Sequence, residues 1–445
     1  MFSLSEGNLI WLNSSDEKFF KLLTIFLLAL SMRHAMWALS SLLVLTSASL
    51  ASKSVKKTQK SPLKRAIFQA RNTNLTNTIG TQGSKTFQFI VGGDSKTVKL
   101  FEFDSSKKTL KQKASSDSLG PSATWLDFDP THKFILSASV SKFQNVNNSG
   151  GVFSARFAAD GSLTKISSSS TPDTPVSVQS SKDGKHVFVA CYNGGALATY
   201  NMDLDGKLST AIQNFRFTGS GPDKERQATA SAHQARLDST GRLLLVPDLG
   251  SDRVHSFSVS ASGRLSQNPD VEVKPGCGPR HLSFDPDSTN SVRFYLLCEL
   301  SSDIFFMEIA NPQEKARIKQ TLTALPKGAN ASTFNAAEIL ITPDKKFLYI
   351  TNRVKDPQGK IQDNKLGVFR RAEKSGELKL IDFFPAGGKG PRHFAFSPDR
   401  DASFVLVANR DSELITIHSR DVNTGALKEV ASTKVEAPTV ILVTS

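Results

Sequence analysis

The sequence predicts an all-β fold, a seven-bladed β-propeller whose ring is closed by the C-terminal strand. Three observations predict it. A short pattern recurs about every 50 residues, a period that in a strand-rich chain indicates propeller blades. Its clearest copies run from Pro279-Arg280-His281 into the apolar strand at Phe294, and from Pro391-Arg392-His393 into the one at Phe404. The chain also ends in an apolar strand, Pro438-Thr439-Val440-Ile441-Leu442-Val443, with no partner after it.

Seven apolar strands begin at Phe87, Phe134, Val187, Leu243, Phe294, Phe347 and Phe404, at intervals of 47, 53, 56, 51, 53 and 57 residues. Each is followed by a strand of alternating character, such as Val98-Lys99-Leu100-Phe101-Glu102-Phe103 or Val254-His255-Ser256-Phe257-Ser258-Val259. Period-two alternation marks a strand with two unlike faces. Asp160-Gly161, Asp205-Gly206, Ser262-Gly263, Ser375-Gly376 and Thr424-Gly425 supply the turns that follow. Six of the seven apolar strands are preceded by another strand and a turn; the first is not. Residues 438–443 therefore complete the first blade and leave no open sheet edge.

The first 51 residues read as an address. Met36 to Leu50 is an apolar run that ends at Ser49-Leu50-Ala51, with Arg33 and His34 before it. That is the layout of a signal peptide, with a signal anchor as the rival reading. Residues 52–84 read as a basic flexible tail or propeptide, and 85–445 as the propeller domain. The net charge is +14, and Lys53, Lys56, Lys57, Lys60, Lys64, Arg65 and Arg71 supply half of it in a stretch without an acid. Such a tail could associate with a cell surface or wall. It interleaves no aromatics with its bases, so nucleic acid is not an expected partner. The expected location is extracellular, with an anchored or cytoplasmic protein as alternatives. Three cysteines, Cys191, Cys277 and Cys298, exclude a disulfide-built scaffold. Cys277 and Cys298 share one repeat and could bridge; free buried thiols are the favoured expectation. Glycosylation sequons occur at Asn74, Asn147 and Asn330.

Within a blade the start of the first strand and the end of the second lie on one face. The first-strand starts hold His233, Arg280, His281, Glu338, Arg392 and His393; the second-strand ends hold Asp248, Glu299, Asn352 and Asn409, with Arg353 and Arg410 next after the two asparagines. Ionisable groups at otherwise apolar strand starts converge on one mouth. Arginines there suit a carboxylate or phosphate. A histidine suits proton transfer, and a carboxylic acid with a raised pKa could act as an acid. The structural alternative is that His281 and His393 mainly position Arg280 and Arg392. His132, His186, His255 and His418 lie at turns or within strands and are assigned no role. No metal-ligand spacing, nucleophile elbow or phosphate loop is present.

These motifs resemble the seven-bladed β-propeller lactonase family, which includes propeller-type 6-phosphogluconolactonase and fungal 3-carboxy-cis,cis-muconate cyclase. The resemblance rests on Arg226-Gln227 upstream of His233, Val246 to Val254, Gly278-Pro279-Arg280-His281, Cys298-Glu299-Leu300-Ser301, Ala336-Ala337-Glu338-Ile339, Thr351-Asn352-Arg353 and Gly390-Pro391-Arg392-His393-Phe394. It implies catalytic roles for His233, Arg280, Glu299 and Arg353; the shared face adds Glu338, His281, Arg392, His393, Asn409 and Asp248 as candidates for substrate binding. It implies a small anionic lactone or muconate as substrate, and acid/base catalysis with no metal or other cofactor. Ser231 stands where many members carry a second histidine. A non-catalytic extracellular binding propeller is the alternative from a different class.

Overall fold

A computed structural model describes residues 86–143, 149–288, 291–355 and 364–444. The address at 1–51, the basic tail at 52–84 and the sequons at Asn74 and Asn147 lie outside the described residues. Asn330 is exposed, and its side chain caps a short 3-10 turn, Ala331–Thr333.

Seven antiparallel sheets follow one another along the chain, six of four strands and one of five. Blade 1 combines the closing strand Pro438–Val443 with Thr86–Gly93, Val98–Asp104 and Thr109–Ser116. Blades 2 to 7 are each built from consecutive strands, with innermost members at Ala123–Phe128, Pro175–Ser180, Arg236–Leu237, Pro279–Phe284, Phe334–Ile341 and Pro391–Phe396. The second strands are the apolar ones of the repeat, buried on both sides because sheets stack on both of their faces. The Phe134, Leu136, Val187 and Val189 side chains of blades 2 and 3 form one such layer. Phe89 and Phe101 of blade 1 meet Leu406 and Ile417 of blade 7 in another. Each such side chain contributes about 1.5–3 kcal/mol of burial.

The ring closes as the sequence predicts. Thr86–Gly93 pairs with the C-terminal strand from Phe89 opposite Val443 to Gly93 opposite Pro438. Tyrosine hydroxyls add polar ties between blades: Tyr200 donates to the Ser170 carbonyl at 2.8 Å and Tyr349 to the Gly425 carbonyl at 2.6 Å. Gly425 turns with φ +81°, where an added Cβ would meet the Phe347 ring at 2.9 Å, so this position requires glycine.

One expectation is corrected. Cys277 and Cys298 form a disulfide, 5.1 Å between Cα atoms. Pro279 pairs with Cys298 across the first two strands of blade 5, which brings the turn before Pro279 to the end of the second strand. Spacing in sequence does not report that proximity. Cys191 is free and buried.

The inner strands share an irregularity that positions the site. In blades 2, 3, 5 and 7 the register slips by one residue between Ala123 and Trp125, Pro175 and Ser177, Pro279 and His281, and Pro391 and His393. The closing strand slips in the same way opposite Gly92 and Gly93, and blade 6 slips between Ala336 and Ile339. In blade 4, Ala232 is bridged to Asp248 while Arg236 pairs with Leu245, which is the same one-residue offset. Such bulges re-aim a side chain. The residue following the outermost pair is Thr439, Thr124, Val176, His233, Arg280, Ala337 or Arg392, in blade order.

Candidate active site

Six of those seven residues, Thr439, Thr124, Val176, His233, Arg280 and Arg392, line one narrow cavity, joined by Trp125 and His281 from the next position along their strands. The seventh is Ala337, whose carbonyl accepts a hydrogen bond from Arg280 Nη1 at 2.6 Å. A larger side chain would compete with Arg280 for that space.

Glu299 follows Cys298 at the end of the second strand of blade 5. Its carboxylate meets three guanidiniums: Arg226 Nη2 at 2.7 Å, Arg280 Nε at 2.9 Å and Arg353 Nη2 at 3.0 Å. Burial alone would raise its pKa. Arg353, Arg280 and Arg226 outweigh burial and hold the carboxyl well below the usual carboxylate range. Glu299 is therefore ionised at neutral pH, and the expectation of a carboxylic acid with a raised pKa is reversed here. Arg226 also donates to the Tyr192 hydroxyl at 3.3 Å.

A second group lies beneath. Glu338 receives His281 Nδ1, 3.0 Å from each of its oxygens, and His393 Nε2 lies 3.7 Å away. His281 Nε2 faces Arg280 Nη1 at 3.4 Å, and the Ile441 N–H of the closing strand donates to His393 Nδ1 at 3.3 Å. Trp125 sets its edge against both imidazoles, with centroids 5.1 and 5.3 Å away. Burial pulls His281 down to about 4, despite Glu338, and also lowers His393. With Nδ1 donating to Glu338, neutral His281 accepts from Arg280. Burial raises the Glu338 carboxyl, but His281 outweighs it and brings the group down to about 2.

His233 is buried between the Tyr192 and His281 rings, with centroids 5.6 and 5.0 Å away. Burial, then the positive field of Arg280, lowers its pKa well below the ordinary value, so the imidazole is neutral. Its Nδ1 has no hydrogen-bond partner among the described residues. Arg392, a partly buried residue on the same cavity, makes no hydrogen bond or salt bridge among the described residues. Burial, then Arg353, draws it down to about 10. Burial, then Arg353 and Arg392, draws Arg280 down to about 9. Both stay cationic at neutral pH. Four guanidiniums (Arg226, Arg280, Arg353, Arg392) thus face two carboxylates (Glu299, Glu338), an excess of two positive charges. An anion fits this field.

The structure brings His233, Arg280, Glu299, Arg353, Glu338, His281, Arg392 and His393 together, and it turns Asp248 and Asn409 elsewhere. Asp248 accepts from His255 and from the backbone of Ser231, Gly250 and Ser251. Asn409 donates to the Ala386 carbonyl and to Thr416. Both share the strand phase of Cys298, one residue before that of Glu299, and so point into their blades. Sequence reasoning missed Trp125, Tyr192 and Arg226. The repeat could have found two of them, since Trp125 has the phase of His281 and Tyr192 that of Glu299. Arg226 lies in a loop and has no such phase. Among the described residues no three His, Cys, Asp or Glu side chains converge as a metal-binding group.

A family model described as a seven-bladed β-propeller lactonase matches residues 78–443. A 6-phosphogluconolactonase of Formosa agariphila is 30% identical over 341 residues, covering 75% of this chain and 91% of that protein. A 6-phosphogluconolactonase of Yersinia pestis is 29% identical over 279 residues, covering 62% and 76%. Among solved structures, the periplasmic gluconolactonase of Pseudomonas aeruginosa superposes with a TM-score of 0.71 at 27% identity, covering 80% of this chain and 99% of that one.

Proposed function

The chain belongs to the seven-bladed β-propeller lactonase family, and on that premise we propose that it hydrolyses an anionic sugar lactone outside the cytosol. The observation that carries this reading is the shared cavity of His233 and Arg392. One is a neutral imidazole able to take a proton; the other is a guanidinium that makes no salt bridge among the described residues. Arg392 anchors the phosphate or carboxylate of the substrate by charge-assisted hydrogen bonds. His233 accepts a proton from water as its oxygen adds to the lactone carbonyl. The carbonyl oxygen gains the negative charge, and the guanidinium field of Arg280 and Arg353 stabilises it. The ring C–O bond then breaks, His233 returns the proton to the leaving oxygen, and an open hydroxy acid results. Glu299 stays ionised throughout and orients the three arginines bound to it.

The Cys277–Cys298 disulfide supports an oxidising compartment, as does the periplasmic location in the name of the Pseudomonas relative. In this reading residues 1–51 direct export, and the seven bases of residues 53–71 favour an anionic surface.

Purified protein tested on 6-phosphogluconolactone, gluconolactone and 3-carboxymuconate decides the matter. The expected result is ring opening of an anionic lactone, reduced at least ~10²-fold in His233→Ala. Absence of turnover of every lactone would overturn the enzymatic reading in favour of a binding propeller, and net cyclisation of the muconate would overturn hydrolysis.

A further inference from the structure

His255, on the third strand of the blade that carries His233, lies between two carboxylates. Its Nε2 is 3.1 Å from Asp248 Oδ2, and its Nδ1 is 3.1 Å from Asp270 Oδ1. The ring is 3% exposed and stacks on Phe217 with centroids 3.7 Å apart. A neutral imidazole carries one N–H and one lone pair. With either tautomer, a lone pair would face a carboxylate oxygen in a buried site. Only the imidazolium places a proton towards both carboxylates; the Asp248 contact is a hydrogen bond, whereas Nδ1 makes no hydrogen bond among the described residues and meets Asp270 as an ion pair. Arg253 backs Asp270 at 3.7 Å and also reaches Glu272 at 4.0 Å.

The other oxygen of Asp248 leads towards the site. Oδ1 accepts the N–H groups of Ser231 at 2.6 Å, Gly250 at 2.9 Å and Ser251 at 3.2 Å. Ala232 is bridged to Asp248, and the His233 N–H bonds the Pro247 carbonyl at 2.8 Å. The short segment ending at His233 is thus fastened to Asp248, and Asp248 is fastened to His255.

We propose that Asp248, His255 and Asp270 are positioning residues, a buried clamp whose imidazolium holds the His233 segment in register. The proposal rests on the reading of His233 as the proton acceptor. Burial opposes protonation of His255, but Asp248 and Asp270 outweigh it and raise its pKa. As pH rises through that raised value, one carboxylate loses its donor and the clamp loosens. The loss of activity then comes from misplacement of His233, not from its own titration.

The test is NMR of the full chain carrying 13C at histidine Cε1, with His255 assigned by the signal lost in His255→Gln, His233 by that lost in His233→Ala, and kcat and KM followed across pH. In the wild type, His255 should titrate above the 6.5 of an ordinary histidine, and the His233 signal should move with the same midpoint. Asp270→Asn should lower both midpoints by about one pH unit or more, carry the alkaline limb of kcat down with them, and leave KM unchanged. A neutral His255 at pH 6 would overturn the clamp. A His233 signal and kcat limb that ignore the shifted midpoint would overturn its positioning role. If no lactone is turned over, the functional reading fails alone, and the tracking of His233 with His255 still decides the clamp. Should Asp270→Asn not fold, the wild-type titration decides it.

Discussion

Arg280 Nε lies 2.9 Å from Glu299 Oε2, with the two side chains only 2% and 3% exposed. The pair joins the first and second strands of blade 5 at the mouth, and Arg226 and Arg353 share the same carboxylate. An ion pair so deeply buried is expensive to break from one side, because the surviving charge keeps its desolvation cost.

Glu299→Gln preserves the shape of the side chain and leaves three guanidiniums without their shared counter-charge. The expected loss is about 3–5 kcal/mol in urea unfolding, with turnover falling at the same time. A variant that retained turnover would indicate that Glu299 does not organise the arginines for catalysis.

Stability should fall on acidification in two stages. His281 has a folded pKa of about 4, below its unfolded value near 6.5. The unfolded chain binds the extra proton between those values, so stability is lost as pH falls through that window. Glu338 has a folded pKa of about 2, and Glu299 is also lowered. Their contribution is present above about 4.3, the ordinary glutamate value, and is lost as pH falls towards the folded values. Urea midpoints measured between pH 7 and pH 3 should therefore decline throughout. His281→Asn should flatten the upper part of the curve; an unchanged slope would refute the buried neutral imidazole.

Denatured without reductant, the protein should show one reactive thiol, Cys191, and three after reduction. For the 21-residue separation of Cys277 and Cys298, chain entropy gives about 3 kcal/mol of stabilisation. Cys277→Ser with Cys298→Ser should lower the unfolding midpoint accordingly. It should also lower kcat, because Cys298 immediately precedes Glu299 and the bridge secures the turn that leads to Arg280. Three thiols without reductant would dismiss the bridge.

Removal of residues 438–445 should leave little soluble protein. It deletes the inner strand of blade 1, Thr439 from the cavity, and the Ile441 N–H that bonds His393. A monodisperse truncation with the wild-type melting temperature would contradict ring closure.

The repeat made the blades legible, because short apolar strands bounded by turn residues carry their own period. It also placed the ionisable side chains on one face, since strand direction alone brings first-strand starts and second-strand ends together. It was less informative about side-chain direction. Asp248 and Glu299 lie one residue apart in phase, and a one-residue step turns a strand side chain to the opposite face. Proximity between distant segments was likewise hidden: nothing in the spacing of Cys277 and Cys298 distinguishes a bridge from two thiols. The reversed pKa of Glu299 depends on Arg226 and Arg353, brought in from blades 4 and 6, which a linear reading cannot assemble.

The shared one-residue slip of the inner strands separates two duties that most buried positions must combine. Residues on either side of it are directly paired across the strands, whereas the slipped residue has no residue directly opposite it. Duplication of a blade therefore copies a vacant slot along with the scaffold, and each slot can be refilled independently. Here three slots hold His233, Arg280 and Arg392, three hold the uncharged Thr439, Thr124 and Val176, and one stays small as Ala337. A ring built this way can acquire a new substrate one letter at a time, without renegotiating its architecture.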